Sequence, residues 1–333
     1  MGKEKDDHYY CIDWLRVIAC FGIIMMHMQA NNQYALNGYV FDRIVPSFTD
    51  FVFLFMTISA FGMCCGYYDK VLSGKIHWPD FYKKRYLKIL PFFTCLVILD
   101  LIMGFSKESL FEAVADVSLL FGLFPNNISV IGVGWFLGLV FAFYLVYPFF
   151  CTLIETKKRA WLALAGSLVL NYIGGSYFGL ERTNIIYCLC FFIAGGLIYL
   201  YREELEKIKL FITLPITIVS IVSYYLLGGS VYCSLFVSAA MLICTISIGG
   251  GYNKVVHFIS SISMEMYLSH MVIFRVIEKL HLNTIVGNGV AQYIATVSVV
   301  VVGTMCLSIA WIVFYKKCSR WMVKKNECSL FNK

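Results

Sequence analysis

Arg16 and His27 stand eleven residues apart in CIDWLRVIACFGIIMMHMQ, residues 11–29, a stretch otherwise almost wholly apolar. At about 100° per residue, eleven steps turn roughly 1100°, about 20° past three full turns, so a helix sets both on one face. Their axial separation is about 16 Å at ~1.5 Å per residue. Asp13 precedes Arg16 by three positions, within ion-pair reach. A guanidinium at one end of such a face can hold an anionic ligand. An imidazole at the other, neutral near pH 7, can take a proton from an attacking hydroxyl. The plainer reading lets Arg16 snorkel to an interface. It suits His27 less well, because GIIMMHM surrounds that ring with apolar residues and intramembrane ionisable groups usually face a cavity or a partner.

Two further clusters carry polar groups. DFYKKRYLKILP, 80–91, supplies Lys83, Lys84, Arg85 and Lys88 with Tyr82 and Tyr86 between them. Topology alone can place such a run. Four cations in six residues also suit a phosphate site at a cytoplasmic mouth. SSISMEMYLSHMVIFRVIEKL, 260–280, is an apolar helix interrupted by Glu265, His270 and Arg275. Ser263, Tyr267 and His270 fall at i, i+4 and i+7 and share one face, while Glu265 and Ser269 share another. Such a helix either faces the same interior as the first or clamps its neighbours by hydrogen bonds. In GVGWFLGLVFAFYLVYPF, 132–149, Gly132, Gly134 and Gly138 allow close helix packing. Trp135 reads there as an interfacial anchor at the outer end.

The elements that must position these groups follow from composition. Of 333 residues 60% are apolar and 14% charged, with mean hydropathy +0.76. A soluble domain carries about 25% charged residues, so the surplus apolar surface must face lipid. The fold class is all-α, a polytopic membrane helix bundle. The apolar runs are continuous rather than alternating, which speaks against a barrel. Ten spans are expected, over 10–30, 49–68, 87–104, 131–151, 161–178, 184–201, 210–227, 231–249, 262–280 and 289–315. Residues 115–125 form an apolar stretch too short to cross, interfacial or re-entrant. With both termini cytoplasmic, the inner segments hold KKR at 83–85, KKR at 157–159 and the basic tail, while the outer ones hold only Arg43, Lys107 and Arg182. The expected divisions are a cytoplasmic segment 1–9, a membrane domain 10–315 and a basic cytoplasmic tail 316–333, without a signal peptide or a soluble domain at either end.

Most of the thirteen cysteines lie in apolar runs and read as small hydrophobes rather than a disulfide framework. CLC at 188–190 lacks a partner cluster, so no metal is expected. The net charge of +7 is spread over short loops and does not point to nucleic acid.

Taken in order, these motifs make the chain resemble the acyltransferase-3 family of integral membrane acyltransferases. That family opens with a D-x-L-R-x(10)-H helix, and IDWLRVIACFGIIMMH supplies Asp13, Arg16 and His27 at that spacing. FVFLFMTISAFGM is similar to its FFVLSGF helix, with Ala60 where glycine is usual. KKRYLKILP is similar to RRLLRIYP, with lysine at 88 for arginine. WFLGLVFAFYLVYP is similar to its WFL…P helix. SMEMYLSH is similar to SYxIYLIH, with Met264 for tyrosine and Glu265 at a variable site. The resemblance spans residues 10 to about 315.

It implies a catalytic His27, an essential Arg16, and an acyl-CoA end formed by Arg85 and Lys88 with Lys84 and Arg16. Tyr267 and His270 fall in the late motif, and Asp13, Trp135 and Glu265 are polar or substrate-side groups. Lysine at 88 offers a point charge rather than a bidentate fork. The implied activity is transfer of an acyl group, acetyl above all, from acyl-CoA as co-substrate to a hydroxyl of an extracytoplasmic glycan or related acceptor, in a bacterial plasma membrane. No cofactor is bound permanently. Some family members complete the transfer on a fused hydrolase-like domain; without one, the chain is expected either to act alone or to pass the acyl group to a separate extracytoplasmic partner. Two other classes remain open from the residues alone. A secondary transporter of an organic anion or lipid-linked sugar would suit intramembrane His and Arg, but no inverted repeat is visible. A non-catalytic scaffold would not require Arg16 and His27 on one face.

Overall fold

The computed structural model describes residues 9–103, 105–118 and 132–330, without the side chains of residue 103 and of 319–330. The segments 1–8 and 119–131, with the ends of the spans expected at 104 and 131 and most of the short stretch 115–125, lie outside the described residues. Every long element is a helix, and no strand occurs among the described residues. In chain order these are α1 Cys11–Ala30, α2 Phe51–Leu72, α3 Trp78–Met103, α4 Lys107–Ser118, α5 Trp135–Leu153 and α6 Lys157–Phe178. Then follow α7 Ile185–Leu200, α8 Leu210–Leu226, α9 Val231–Ile248, α10 Lys254–Ser261, α11 Ser263–Lys279 and α12 Val290–Leu330. Short helical turns over 40–50 join α1 to α2.

A helix lies over each of the ten expected stretches. By length and composition five helical runs can cross a bilayer: Cys11–Ala30, Val40–Leu72, Gly132–Leu153, Val231–Ile248 and Val290–Cys318. Ile185–Leu200 and Leu210–Leu226 are apolar but shorter. α3 begins at Trp78, so the basic run is not a loop before a span but the first turns of the same helix, which continues through Pro91. α4, part of the expected short stretch, lies along α3 with Asp116 buried while Phe111 and Val114 are exposed.

The arrangement of polarity is that of a protein in lipid. On α12, Gln292, Thr296, Val300, Thr304 and Ser308 recur every fourth residue and are buried, while Val299, Val302, Val313 and Phe314 are exposed. On α8, Thr213, Thr217 and Ser220 are buried while Phe211, Ile216 and Val219 are exposed. A hydroxyl turned inward bonds a carbonyl, as Thr217 Oγ1 donates to the Ala240 carbonyl of α9 at 3.1 Å. In water this inside-out pattern would expose apolar surface with nothing to cover it; in hydrocarbon it turns the polar groups of these helices inward, where they find partners.

α1 sits at the centre, in contact with α2, α9, α10, α11 and α12. Its buried residues Ile12, Leu15, Ala19, Ile23 and Ile24 point in several directions, as a helix surrounded by protein requires. α2 packs most closely on α7. The reason is Gly195: a Cβ there would come within 2.2 Å of the Thr57 carbonyl oxygen, so only glycine lets the two backbones meet. At the end of the bundle that holds the α1 N-terminus, Lys157 pairs with Glu204, lowering that carboxyl's pKa through the hydrogen bond, and the Tyr9 hydroxyl donates to Glu206 at 2.7 Å.

The close approach predicts that Gly195→Ala lowers stability by about 1–3 kcal/mol, the range for overpacking a core. Gly166→Ala, where nothing lies within 4 Å, leaves it unchanged. Chemical denaturation in detergent micelles compares the two.

Candidate active site

At the N-terminal end of α1 three cations line one cavity of about 170 Å³: Arg16 from α1 and Arg85 and Lys88 from α3. Ser59 and Gly62 of α2, Tyr144 of α5 and Ser260 of α10 complete the wall. Gly62 leaves room for the guanidinium, since a Cβ there would sit 3.4 Å from Arg16 Nη2. Asp13 fixes the position of Arg16. It is 2% exposed, lies 3.7 Å from the guanidinium, accepts from Ser260 Oγ at 2.7 Å and meets His257 Nδ1 at 2.7 Å. α10 brings both of those partners because Asn253 caps it, accepting from the Val255 and Val256 amides at 3.0 and 3.1 Å.

Arg85 is held by rings rather than carboxylates. Its guanidinium lies 4.9 Å from the Tyr67 ring centroid, 5.4 Å from Tyr144 and 5.9 Å from Phe81. Lys88 has Glu265 of α11 as its electrostatic counterpart. Three cations therefore face two carboxylates, which leaves the cavity positive. Arg85 Nε and Glu265 Oε2 are buried and have no hydrogen-bond partner among the described residues. The Arg85 Nε–H is an orphaned donor at the cavity, a place where an acceptor on a ligand can complete the bonding.

The other end of α1 carries an imidazole pair. The His27 and His270 ring centroids are 5.0 Å apart. His270 is wholly buried, and its Nδ1 donates to the Tyr267 carbonyl at 2.5 Å, which fixes the tautomer with Nε2 as acceptor. That Nε2 has no partner among the described residues. His27 is half-buried. The Tyr267 hydroxyl donates to the Val133 carbonyl at 2.9 Å, tying α11 to the segment before α5. Arg182 supplies the charge nearby: it acts electrostatically on His27 and Tyr267, lies 5.3 Å from the Trp135 ring and donates to Thr49 Oγ1 at 2.8 Å.

The structure thus gathers the residues expected from sequence into two sites, both of which draw on α1 and α11, with α3 added at one and α5 at the other. Asp13, Arg16, Arg85, Lys88 and Glu265 meet at one end, and His27, Tyr267, His270 and Trp135 gather at the other. Lys84 is exposed and does not line the cavity. Trp135 is buried under Arg182 rather than set out as an interfacial anchor, because its ring is a better partner for the guanidinium than the interface is for it. Phe55 is common ground: it lines the cation cavity, and its ring lies 6.3 Å from Tyr267. His257, Ser260, Tyr144 and Arg182 were not singled out by sequence reasoning. For Arg182 a signal existed, as one of only three basic residues in the outer segments. For the rest none did, because their partners are distant in the chain.

A bundle of apolar helices enclosing a cation cavity and an imidazole pair fits a multi-pass membrane protein. Its family follows from comparison. The family model described as an acyltransferase domain, acyltransferase-3, matches residues 9–314, and the chain belongs to that family. It is a membrane acyltransferase. No curated protein and no solved structure matches it.

Asp13→Ala is predicted to cost about 2–3 kcal/mol, because it leaves the buried Ser260 hydroxyl and the His257 ring without their acceptor and a half-buried Arg16 without its partner. Asp13→Asn, which keeps an acceptor for Ser260, costs less. Denaturant titration in micelles, with refolding to check reversibility, ranks the two.

Proposed function

We propose that the protein transfers an acyl group, acetyl in the first instance, from acyl-CoA to a hydroxyl of an extracytoplasmic glycan or related acceptor. The observation that carries this reading is a positive cavity at the Arg16 end of α1 and an imidazole pair at its His27 end, where His270 of α11 meets it. A helix holds them about 16 Å apart, on the order of an extended pantetheine arm. The phosphates of the donor meet Arg16, Arg85 and Lys88, with the fork of Arg85 matched to a phosphate and Lys88 acting as a point charge. The thioester extends past Phe55 toward His27.

There His27 is the general base. As the acceptor oxygen attacks the thioester carbonyl, His27 takes its proton. The C–S bond then breaks, and CoA leaves as a thiolate that the imidazolium protonates. Alternatively His27 carries the acyl group itself before the hydroxyl takes it. His270 is a positioning residue: its Nδ1–H is committed to a backbone carbonyl, so its Nε2 can accept a hydrogen bond and orient the neighbouring ring. Arg182 provides positive charge where the tetrahedral oxyanion develops.

This reading places ten spans in a bacterial plasma membrane, with the cation cavity and both termini on the cytoplasmic side and the imidazole pair toward the outside. Residues 10–315 form the catalytic domain, between a cytoplasmic segment 1–9 and a basic tail 316–333. Acyl-CoA, the acceptor and lipid are the partners, and a separate extracytoplasmic protein is a further candidate recipient of the acyl group.

Purified protein in nanodiscs with radiolabelled acetyl-CoA provides the test. His27→Ala is expected to reduce CoA thiol release at least about a hundredfold, the lower range for losing a general base. Label retained on the wild-type protein would select the covalent route. Release that is unchanged without His27 would overturn the assignment. At the other end, Arg85→Ala is expected to raise the KM for acetyl-CoA about tenfold, ~1.4 kcal/mol, while Lys84→Ala changes it less than about twofold. Equal effects would mean that the cavity is not the donor site.

A further inference from the structure

Two cavities near the His27 end of the bundle share a wall and differ in character. One, of about 160 Å³, lies between the start of α2 and helices α8 and α9, and is lined mainly by Phe48, Leu54, Ile221, Val237 and Met241. The other, of about 310 Å³, adjoins it and is polar, lined by Asp42, Arg43, Thr49 and the Gly228–Gly229 turn. Ser47, Asp50, Tyr224 and Tyr225 border both.

The dividing wall is built, not incidental. Tyr224 donates to Asp50 Oδ2 at 2.9 Å and Ser234 donates to the same oxygen at 2.6 Å. Ser47 donates to the Ile44 carbonyl at 2.7 Å, so the Tyr225 hydroxyl, 2.8 Å away, donates to Ser47. Both tyrosines are thereby held with their polar tips anchored and their rings half-buried. Gly228 and Gly229 adopt φ of 81° and 72°, and a Cβ at Gly229 would press on the Tyr224 ring at 3.1 Å. Among the described residues both hydrogen bonds to Asp50 fall on Oδ2, which leaves Oδ1 to accept from a ligand. Thr49, on the polar side, also receives the Arg182 hydrogen bond, so this chamber adjoins the charge that acts on His27.

We infer that these joined cavities are the acceptor site, and that the acceptor is amphiphilic: a saccharide on a polyprenyl-type lipid rather than a free polymer. The inference rests on the acyltransferase reading above and names the acceptor that reading leaves open. The hydroxylated head lies in the polar chamber, where Asp50 and Asp42 accept from sugar hydroxyls, the tyrosine rings pack on apolar sugar faces and Arg43 meets a phosphate linker. The first units of the chain lie in the apolar chamber. Ile221 there is 37% exposed, and its α8 neighbours Ile218 and Val222 are 52% and 48% exposed on the lipid-facing side, so the remaining chain leaves directly into hydrocarbon. A water-soluble glycan would use the polar chamber and gain nothing from the apolar one.

The test is photolabelling, which needs no turnover. Full-length protein in nanodiscs is irradiated with farnesyl diphosphate-linked N-acetylglucosamine carrying a diazirine in its chain, and labelled peptides are mapped. Label is expected on segments 47–54 and 221–241, competed by the unlabelled lipid-linked sugar and not by free N-acetylglucosamine or by farnesyl diphosphate alone at the same concentration. Val237→Trp, which fills the apolar chamber, is expected to cut labelling about tenfold. Asp50→Asn is expected to weaken competition by the sugar head. Label that is not competed, or that spreads over the lipid-facing helices, means ordinary bilayer lipid fills the cavity and overturns the inference. So does competition by the free sugar, or by farnesyl diphosphate as efficiently as by the full probe. Failure of the acyltransferase reading is read separately, from CoA release with and without His27.

Discussion

A carboxylate buried among helices is stable only with donors and positive charge around it, and around Asp13 the described residues include Ser260, His257 and the Arg16 guanidinium. Without its carboxylate the Arg16 guanidinium would lose its fixed position in a largely apolar surrounding, and its head would be drawn to the nearest water. With it, Arg16 stands over Gly62 in a cavity that also holds Arg85 and Lys88. Three like charges around about 170 Å³ repel one another. The cost is offset only in part by Asp13, Glu265 and the rings around Arg85, so the cavity is held ready for anionic charge rather than already satisfied. The same logic explains why α10, a short and capped helix, exists where it does: it delivers Ser260 and His257 to the one acid that positions the first cation.

The bilayer imposes the rest. Because no water reaches lipid-facing backbone, the chain is helical throughout its long elements, and the polar residues turn inward along narrow stripes. Helices gain little from the hydrophobic effect against each other in such surroundings. They meet through small residues and shared hydrogen bonds, as at Gly195 over the Thr57 carbonyl and at Thr217 across to Ala240. Rigidity follows, and it matters for the site. The cation cavity and the imidazole pair keep their separation because one continuous helix, α1, carries both Arg16 and His27.

That separation was readable before any coordinates, since helical periodicity alone puts residues 16 and 27 on one face. So was the Asp13–Arg16 pair, because i, i+3 neighbours meet on any helix. Contacts between distant segments were not readable. Nothing in the spacing of His27 and His270 says that α1 and α11 place their rings 5.0 Å apart. Nothing in KKRYLK says that Arg85 and Lys88 turn to the cavity while Lys84 does not, since Lys84 and Arg85 stand similarly close to Lys88 around the helix. The start of α3 was misjudged for a physical reason. Charged residues suggest the end of a membrane span when they face lipid, but here those that matter face a protein cavity, and the helix runs on through them.

Placing charge at one end and imidazole at the other also separates the two requirements of the proposed reaction. The donor is a highly charged nucleotide that must stay in water except for its thin arm, while the acceptor is a hydroxyl that must be dry when it attacks. A site that met both in one chamber would have to solvate phosphates and exclude water together. Two sites joined by about 16 Å of helix do not. Phe55 lines the cation cavity and its ring lies 6.0 Å from Phe136 and 6.3 Å from Tyr267 of the imidazole end, so the side chains linking the two sites are aromatic and would suit an uncharged chain better than an ion. On the proposed reaction, the thin arm of the donor is the part that would have to reach His27, and the group transferred would be the one at its tip.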